Sequence, residues 1–222
     1  MDIEKVLSKL TVEEKATLLL DGGGLKTAAI REKGIPSLIM TDGTSGVRIM
    51  EPSDDDLHDA VFSDAINSSF DTPEALEKTR KATCYPSGAS LACSFNPELA
   101  HEIGSAIAEE CKHYHVGLLY GPGLNTRRTP FDGRGFEYYS EDPVLAGDMA
   151  AGMVSGLQDS GVGACVKHFV CNNSNYERTI YDNLVTERGL REIYLAAFER
   201  AVKKSHPARM PDAAMRRFET SL

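Results

Sequence analysis

Val116-Gly117-Leu118-Leu119-Tyr120, running straight into Gly121-Pro122-Gly123-Leu124-Asn125, is the stretch whose reading decides the fold. A short apolar run that stops at glycine and proline has the length and boundaries of a buried strand entering a loop. On either side lie amphipathic helical patterns, from Pro97 to about Tyr114 and from Pro143 to about Gln158. Each opens with a capping residue, Asn96 or Asp142, before a proline at the first helical position. Further on, Val162-Gly163-Ala164-Cys165-Val166 repeats the strand pattern and leads to a helix from Glu187 to about Lys203. Ser37-Leu38-Ile39-Met40 and Ser90-Leu91-Ala92-Cys93 read as two more strands, the second leading into the Pro97 helix. Strand and helix alternating at this spacing predict an α/β protein with a parallel sheet and outer helices, either a (β/α) barrel or a doubly wound sheet.

Towards the N-terminus the chain reads as two short helices, Ile3 to Leu10 and one opening at Thr11, where Glu14 completes a capping box. Leu18-Leu19-Leu20 then stops at Gly22-Gly23-Gly24. Between Glu51 and Ala82 the sequence is acidic, with Asp54-Asp55-Asp56 and a helical pattern from Pro73 to Arg80, and reads as an insertion forming a solvated loop.

Composition narrows the function classes. With 41% hydrophobic and 26% charged residues over 222 positions, the chain has the make-up of a globular domain able to bury a core. A net charge of -9 without a dense Lys/Arg run argues against nucleic acid or an anionic membrane as partner. The five cysteines, Cys84, Cys93, Cys111, Cys165 and Cys171, are odd in number and lack C-x-x-C spacing, so neither a disulfide framework nor a metal site is expected. Reduced thiols and a charged N-terminus without an apolar leader segment point to a cytoplasmic protein.

The polar clusters fall just beyond the C-terminal ends of the predicted strands, where parallel α/β folds hold their ligands. Thr41-Asp42-Gly43-Thr44-Ser45-Gly46-Val47-Arg48 follows Met40 and can project an acceptor into a pocket. Gly121 to Arg128 and Gly133-Arg134-Gly135-Phe136-Glu137-Tyr138-Tyr139 combine glycine turns, arginines and aromatics, a mixture suited to a polyhydroxylated ligand. Salt bridges from these arginines to Glu137, Glu141 and Asp142 are the alternative expectation for part of the segment. Lys167-His168 ends the next strand, and both side chains can reach one pocket only if the backbone departs there from a regular strand. Arg178, in the polar loop from Cys171 to Arg178, and Glu137 are further candidates.

Taken in order, Thr41-Asp42-Gly43, Cys84-Tyr85-Pro86, Gly121-Pro122-Gly123 with Asn125, Gly133-Arg134 with Phe136-Glu137, Ser140-Glu141-Asp142-Pro143 and Lys167-His168-Phe169 resemble the N-terminal barrel of glycoside hydrolase family 3. Glu187-Arg188 and Leu190-Arg191-Glu192-Ile193-Tyr194-Leu195 extend the resemblance. It implies a partial (β/α)8 TIM-type barrel, roughly the first half of the family's N-terminal domain, over residues 1–206. It further implies that Asp42 accepts from, and Arg134, Lys167 and His168 donate to, the hydroxyls of the sugar on the non-reducing side of the scissile bond. The substrate class implied is a β-glucoside or short oligosaccharide, hydrolysed with retention by an Asp nucleophile and a second carboxylic acid, with no cofactor. Phe169-Val170-Cys171-Asn172-Asn173 after the Lys-His pair resembles the glucosidase and xylosidase branch.

Residues 207–222 carry Pro207, Pro211 and three arginines where the resemblance calls for another apolar strand, and read as an aberrant tail. The family's nucleophile and acid/base would lie outside this chain, leaving catalytic residues: none. The expectation is therefore an inactive, poorly folded fragment that self-associates or pairs with the missing barrel half. A non-catalytic sugar-binding or interaction protein, and lastly a phosphate-binding α/β protein using Gly121 to Arg128, are the other readings.

Overall fold

Parallel pairing brings Met40–Asp42 (β1), Leu118–Tyr120 (β2) and Gly163–Ala164 (β3) into one sheet in the order β1-β2-β3. The computed structural model describes residues 3–19, 25–48, 81–174, 180 and 182–205. The helix expected from Pro73 to Arg80, most of the acidic insertion, Arg178 and the tail 207–222 lie outside the described residues. In register, Asp42 stands opposite Tyr120 and Leu119 opposite Ala164, so all three strands end at the same edge. The order continues past the strands: Gly123 bridges to both Lys167 and Tyr138, with Lys167 N donating to Pro122 O (3.1 Å) and Leu124 N to Lys167 O (2.6 Å).

Ile3–Leu7 (α1) and Val12–Leu18 (α2) precede the sheet; α1 is shorter than expected, and Thr11 caps α2 with both hydrogen bonds of the capping box to Glu14. One expected strand is a correction. Ser90-Leu91-Ala92-Cys93 lies in and at the end of a helix, Gly88–Ala92 (α3), so the sheet has three described strands where four were expected. Short apolar runs do not separate strand from helix by periodicity. Ser87 decides locally: its hydroxyl accepts from Ser90 N (3.2 Å), an N-cap interaction that starts the helix and turns Leu91 and Ala92 into the core.

The outer layer matches the expected helices. Pro97–His113 (α4) and Pro143–Asp159 (α5) are capped as read, Asn96 accepting from Glu98 N and Leu99 N and Asp142 from Val144 N and Leu145 N. The Glu187 helix is interrupted: Glu187–Gly189 (α6) passes through a π turn at Leu190–Tyr194 before Ala196–Lys204 (α7). The apolar stripe of α4, Ala100, Ile107, Ala108 and Cys111, packs on α5 through Met149, Ala150, Met153 and Leu157, and α5 packs on Ala197, Phe198 and Ala201 of α7. Asp148 of α5 clamps the third helix, accepting from Arg200 Nη2 (2.9 Å) and pairing with Lys204 Nζ (2.7 Å). The Arg200 hydrogen bonds hold its carboxyl below the ordinary range. With Leu119, Leu124 and Val162 these residues form one continuous core. No described helix is long and apolar enough to cross a membrane.

Helices α4 and α5 approach backbone to backbone. A Cβ on Gly104 would lie 2.5 Å from Met153 O, and one on Gly156 would run into the His101 carbonyl oxygen. Alanine is the better helix former by about 1 kcal/mol, so propensity alone favours Gly156→Ala. Overpacking typically costs about 1–3 kcal/mol and here pushes against rigid backbone. Gly156→Ala is therefore expected to lower stability, with a reduced urea midpoint by circular dichroism; an unchanged or higher midpoint would show that the helices are not this close.

Candidate functional site

The cluster at the C-terminal edge of the sheet is assembled from three segments that the strands deliver side by side. Asp42 is the last residue of β1; Lys167 and His168 follow β3; Arg134 precedes and Glu137 ends a single 3-10 turn, Gly135–Glu137, in the long loop after β2. That loop is pressed into the fold by two glycines. A Cβ on Gly88 would stand 2.7 Å, and one on Gly123 2.8 Å, from Glu137 O, so only residues without a side chain let the Glu137 backbone pass between them.

Lys167 is the hub. Its ammonium pairs with Asp42 Oδ1 and lies 3.8 Å from Glu137 Oε2, while the other Glu137 oxygen accepts from Arg134 Nε. Exposure separates the two carboxylates: the Glu137 side chain is 5% exposed and that of Asp42 44%. A buried carboxylate between two cations is a structural ion pair, and removing one partner leaves an uncompensated charge. Asp42, also accepting from Gly43 N (2.9 Å), is the carboxylate that a ligand can reach.

Arg134 carries the arrangement on to His168 through Nη2···Nε2 at 3.0 Å. Because guanidinium only donates, His168 Nε2 accepts and the ring proton sits on Nδ1, which faces the Tyr138 hydroxyl at 3.2 Å. Asn172 Nδ2 donates to the same hydroxyl (3.4 Å). Burial, which pulls the Arg134 guanidinium down, is outweighed by the hydrogen bond and charge of Glu137, leaving its pKa raised. Burial first, and the Glu137 charge second, push the Tyr138 phenol up, so it remains a neutral hydroxyl. The His168 backbone is clamped by Asn125, whose Oδ1 accepts from His168 N (2.7 Å) and whose Nδ2 donates to His168 O (2.8 Å). The Lys167–His168 peptide is cis, and both side chains reach the one cluster.

The structure thus brings together Asp42, Arg134, Lys167, His168 and Glu137; Arg178 lies outside the described residues. Of the expected salt bridges, the structure shows the one from Arg134 to Glu137. Asp142 instead caps α5, and Arg128 Nη1 donates to Tyr194 OH (2.7 Å) on the π turn. Tyr138 was missed as a site residue. It follows Glu137 directly, but the need of its hydroxyl for a partner arises from burial, which only the structure reveals.

The sequence pattern described as the glycosyl hydrolase family 3 N terminal domain matches residues 70–215. Thermostable beta-glucosidase B of Acetivibrio thermocellus is 45% identical over 207 residues, covering 93% of this chain and 25% of the relative. An exo-alpha-(1->6)-L-arabinopyranosidase of Bifidobacterium longum is 43% identical over 201 residues, covering 89% of this chain and 24% of the relative. Among solved structures, beta-glucosidase 3B from Thermotoga neapolitana in complex with alpha-D-glucose superposes with a TM-score of 0.76 at 39% identity, over 92% of this chain and 28% of that one. The beta-glucosidase of Kluyveromyces marxianus in complex with glucose gives 0.78 at 35% identity, over 92% and 22%. The chain spans about a quarter of the length of the curated relatives it matches.

Glu137→Gln is expected to cost about 2 kcal/mol in urea unfolding, below the 3–5 of a fully buried pair because Arg134 remains partly solvated. Stability equal to that of the parent chain would show that Glu137 does not hold the cluster together.

Proposed function

This chain belongs to glycosyl hydrolase family 3, and we propose that its cluster binds the non-reducing terminal sugar of a β-D-glucoside, or of a closely similar pyranoside. The juxtaposition of Asp42 with Lys167, Arg134 and His168 at one sheet edge carries this reading. Vicinal hydroxyls need an acceptor and several donors within reach of one ring, and that is the set collected here. Asp42 supplies the acceptor. Lys167 has three N–H groups and two carboxylate neighbours, so one proton remains for a ligand oxygen. His168 can donate from Nε2 only if Arg134 releases that nitrogen and the ring proton moves there from Nδ1, which couples those two residues in binding.

The sugar's hydroxymethyl group is not decisive for this part of the site. The relatives include both beta-glucosidases and an exo-alpha-(1->6)-L-arabinopyranosidase, and a pentopyranose has no such group. Hydrolysis by the whole protein follows, in this reading, a retaining mechanism whose nucleophile and acid/base are supplied by residues other than this cluster. Both carboxylates of the cluster are ion-paired, Asp42 with Lys167 and Glu137 with Arg134 and Lys167, which suits them to holding neighbours and hydroxyls rather than to nucleophilic attack. The 222-residue polypeptide by itself then binds sugar without turning it over. The same proposal places the protein in the cytoplasm, supported by five free cysteines. The runner-up, a sugar-binding protein with no catalytic role in any context, shares the cluster and differs in the full-length activity.

Titration of the chain with methyl β-D-glucoside, followed by NMR, is expected to show millimolar-range binding weakened about tenfold or more by Asp42→Ala, as expected for losing a charged hydrogen bond. Release of aryl alcohol from an aryl β-glucoside by this chain, lost in Asp42→Ala, would overturn the non-catalytic assignment; unaltered binding in Asp42→Ala would overturn the site.

A further inference from the structure

Asp42 sits at the root of a loop that folds back on itself. Arg48 N donates to Asp42 O (3.0 Å), the Thr41 hydroxyl donates to Arg48 O, and Gly43 N donates both to the Asp42 carboxylate (2.9 Å) and to Tyr120 O (3.4 Å). The two N-terminal contacts belong to the sheet edge, but the tip of the loop, Thr44 to Gly46, extends beyond it. What holds the tip is the segment Thr83–Tyr85. Tyr85 N donates to Ser45 O (2.9 Å), and Gly46, at φ +131°, is packed so tightly that a Cβ would collide with Thr83 O. Only glycine combines that backbone conformation with that approach.

Thr83–Tyr85 forms no strand or helix of its own, so its position needs another anchor. A single carboxylate provides it. Glu110, about four turns along α4 from Asn96, accepts from Thr83 N through Oε2 (3.1 Å) and from the Tyr85 hydroxyl through Oε1 (3.2 Å). The same end of α4 fixes the preceding residues, with the Tyr114 hydroxyl donating to Lys81 O. Burial first and the Glu110 charge second raise the Tyr85 phenol, which keeps it a donor at neutral pH. The opposite end of the connection is rigid, because Ala108 and Cys111 on α4 are fully buried in the helical core.

We propose that Glu110 and Tyr85 are positioning residues for Asp42: the Glu110 carboxylate ties Thr83–Tyr85 to α4, and that segment in turn fixes the loop from which Asp42 presents its acceptor. Neither residue contributes to the ion-paired cluster, so the effect passes through the backbone of the loop. The proposal rests on Asp42 being a sugar ligand only for its consequence on binding; its structural content stands apart from that reading.

The experiment is native-state amide exchange by NMR on the 222-residue chain and on Glu110→Gln and Glu110→Ala. Glutamine retains one carbonyl acceptor and alanine none, so loss of protection is graded between them. The Tyr85 and Arg48 amides, bonded to Ser45 O and Asp42 O, are expected to exchange at least about tenfold faster in Glu110→Ala and less so in Glu110→Gln. The Cys165 amide, bonded to Leu119 O (2.9 Å) in the sheet, serves as reference and is expected to stay unchanged. Faster exchange confined to the Thr83 amide, or an equal rise at Cys165, would overturn the proposal, the first by showing no transmission and the second by showing general destabilisation. In a parallel methyl β-D-glucoside titration, Glu110→Ala is expected to weaken binding while Tyr85→Phe, which keeps the Thr83 bond, weakens it less. Failure of Asp42→Ala to affect binding would count against the sugar site and leave the exchange result to judge the positioning role separately.

Discussion

The ammonium of Lys167, lodged between the carboxylates of Asp42 and Glu137, is the interaction on which the rest of the site depends. It joins three segments that are remote in sequence and independent in local structure. β1 brings Asp42, β3 is followed by Lys167, and the loop after β2 brings Glu137 with Arg134 attached. Without the lysine, two negative charges would face each other at the sheet edge. Without Glu137, the Arg134 guanidinium would lose its paired carboxylate and Lys167 would keep only Asp42 of its two. The net-neutral set forms a chain, Asp42–Lys167–Glu137–Arg134, in which removing either inner member leaves charges uncompensated on both sides.

Geometry then sorts the members by role. Glu137 is buried, its backbone caught between Gly88 and Gly123, and it acts as the counter-ion that orients Arg134 and Lys167. Asp42 is nearly half exposed and can exchange part of its bonding with Lys167 for a ligand hydroxyl. His168 is held by Asn125 through its backbone and by Arg134 and Tyr138 through its ring. A site so organised offers a fixed acceptor and a set of prepaired donors, which limits the side-chain entropy lost on binding a small polar ligand.

Much of this was legible in the sequence because its signals are local. Capping residues before proline marked α4 and α5, glycine and proline after an apolar run marked β2, and polar residues after strand ends marked the cluster. What escaped depends on contacts between segments. Ser90 to Cys93 looked like a strand because its few small apolar residues carry no period, and only the Ser87 cap and burial against the helices make it helical. The break in the last helix at Leu190–Tyr194 has no proline or glycine run to announce it; the structure couples it to Arg128 through the Tyr194 hydroxyl. Tyr138 and Glu110 were hidden for the same reason, since a hydroxyl or carboxylate that holds another segment in place looks, in sequence, like any other polar residue on a loop or helix.

The most direct measurement of the central claim is the 15N chemical shift of the Lys167 ammonium and the two His168 ring nitrogens during titration with methyl β-D-glucoside. The Lys167 signal and His168 Nε2 are expected to move together, because a bound sugar accepts a hydrogen bond from the lysine and competes with Arg134 for Nε2, while Nδ1, facing Tyr138, moves less. Sugar binding that shifts neither residue, or that shifts only resonances elsewhere on the chain, would contradict it.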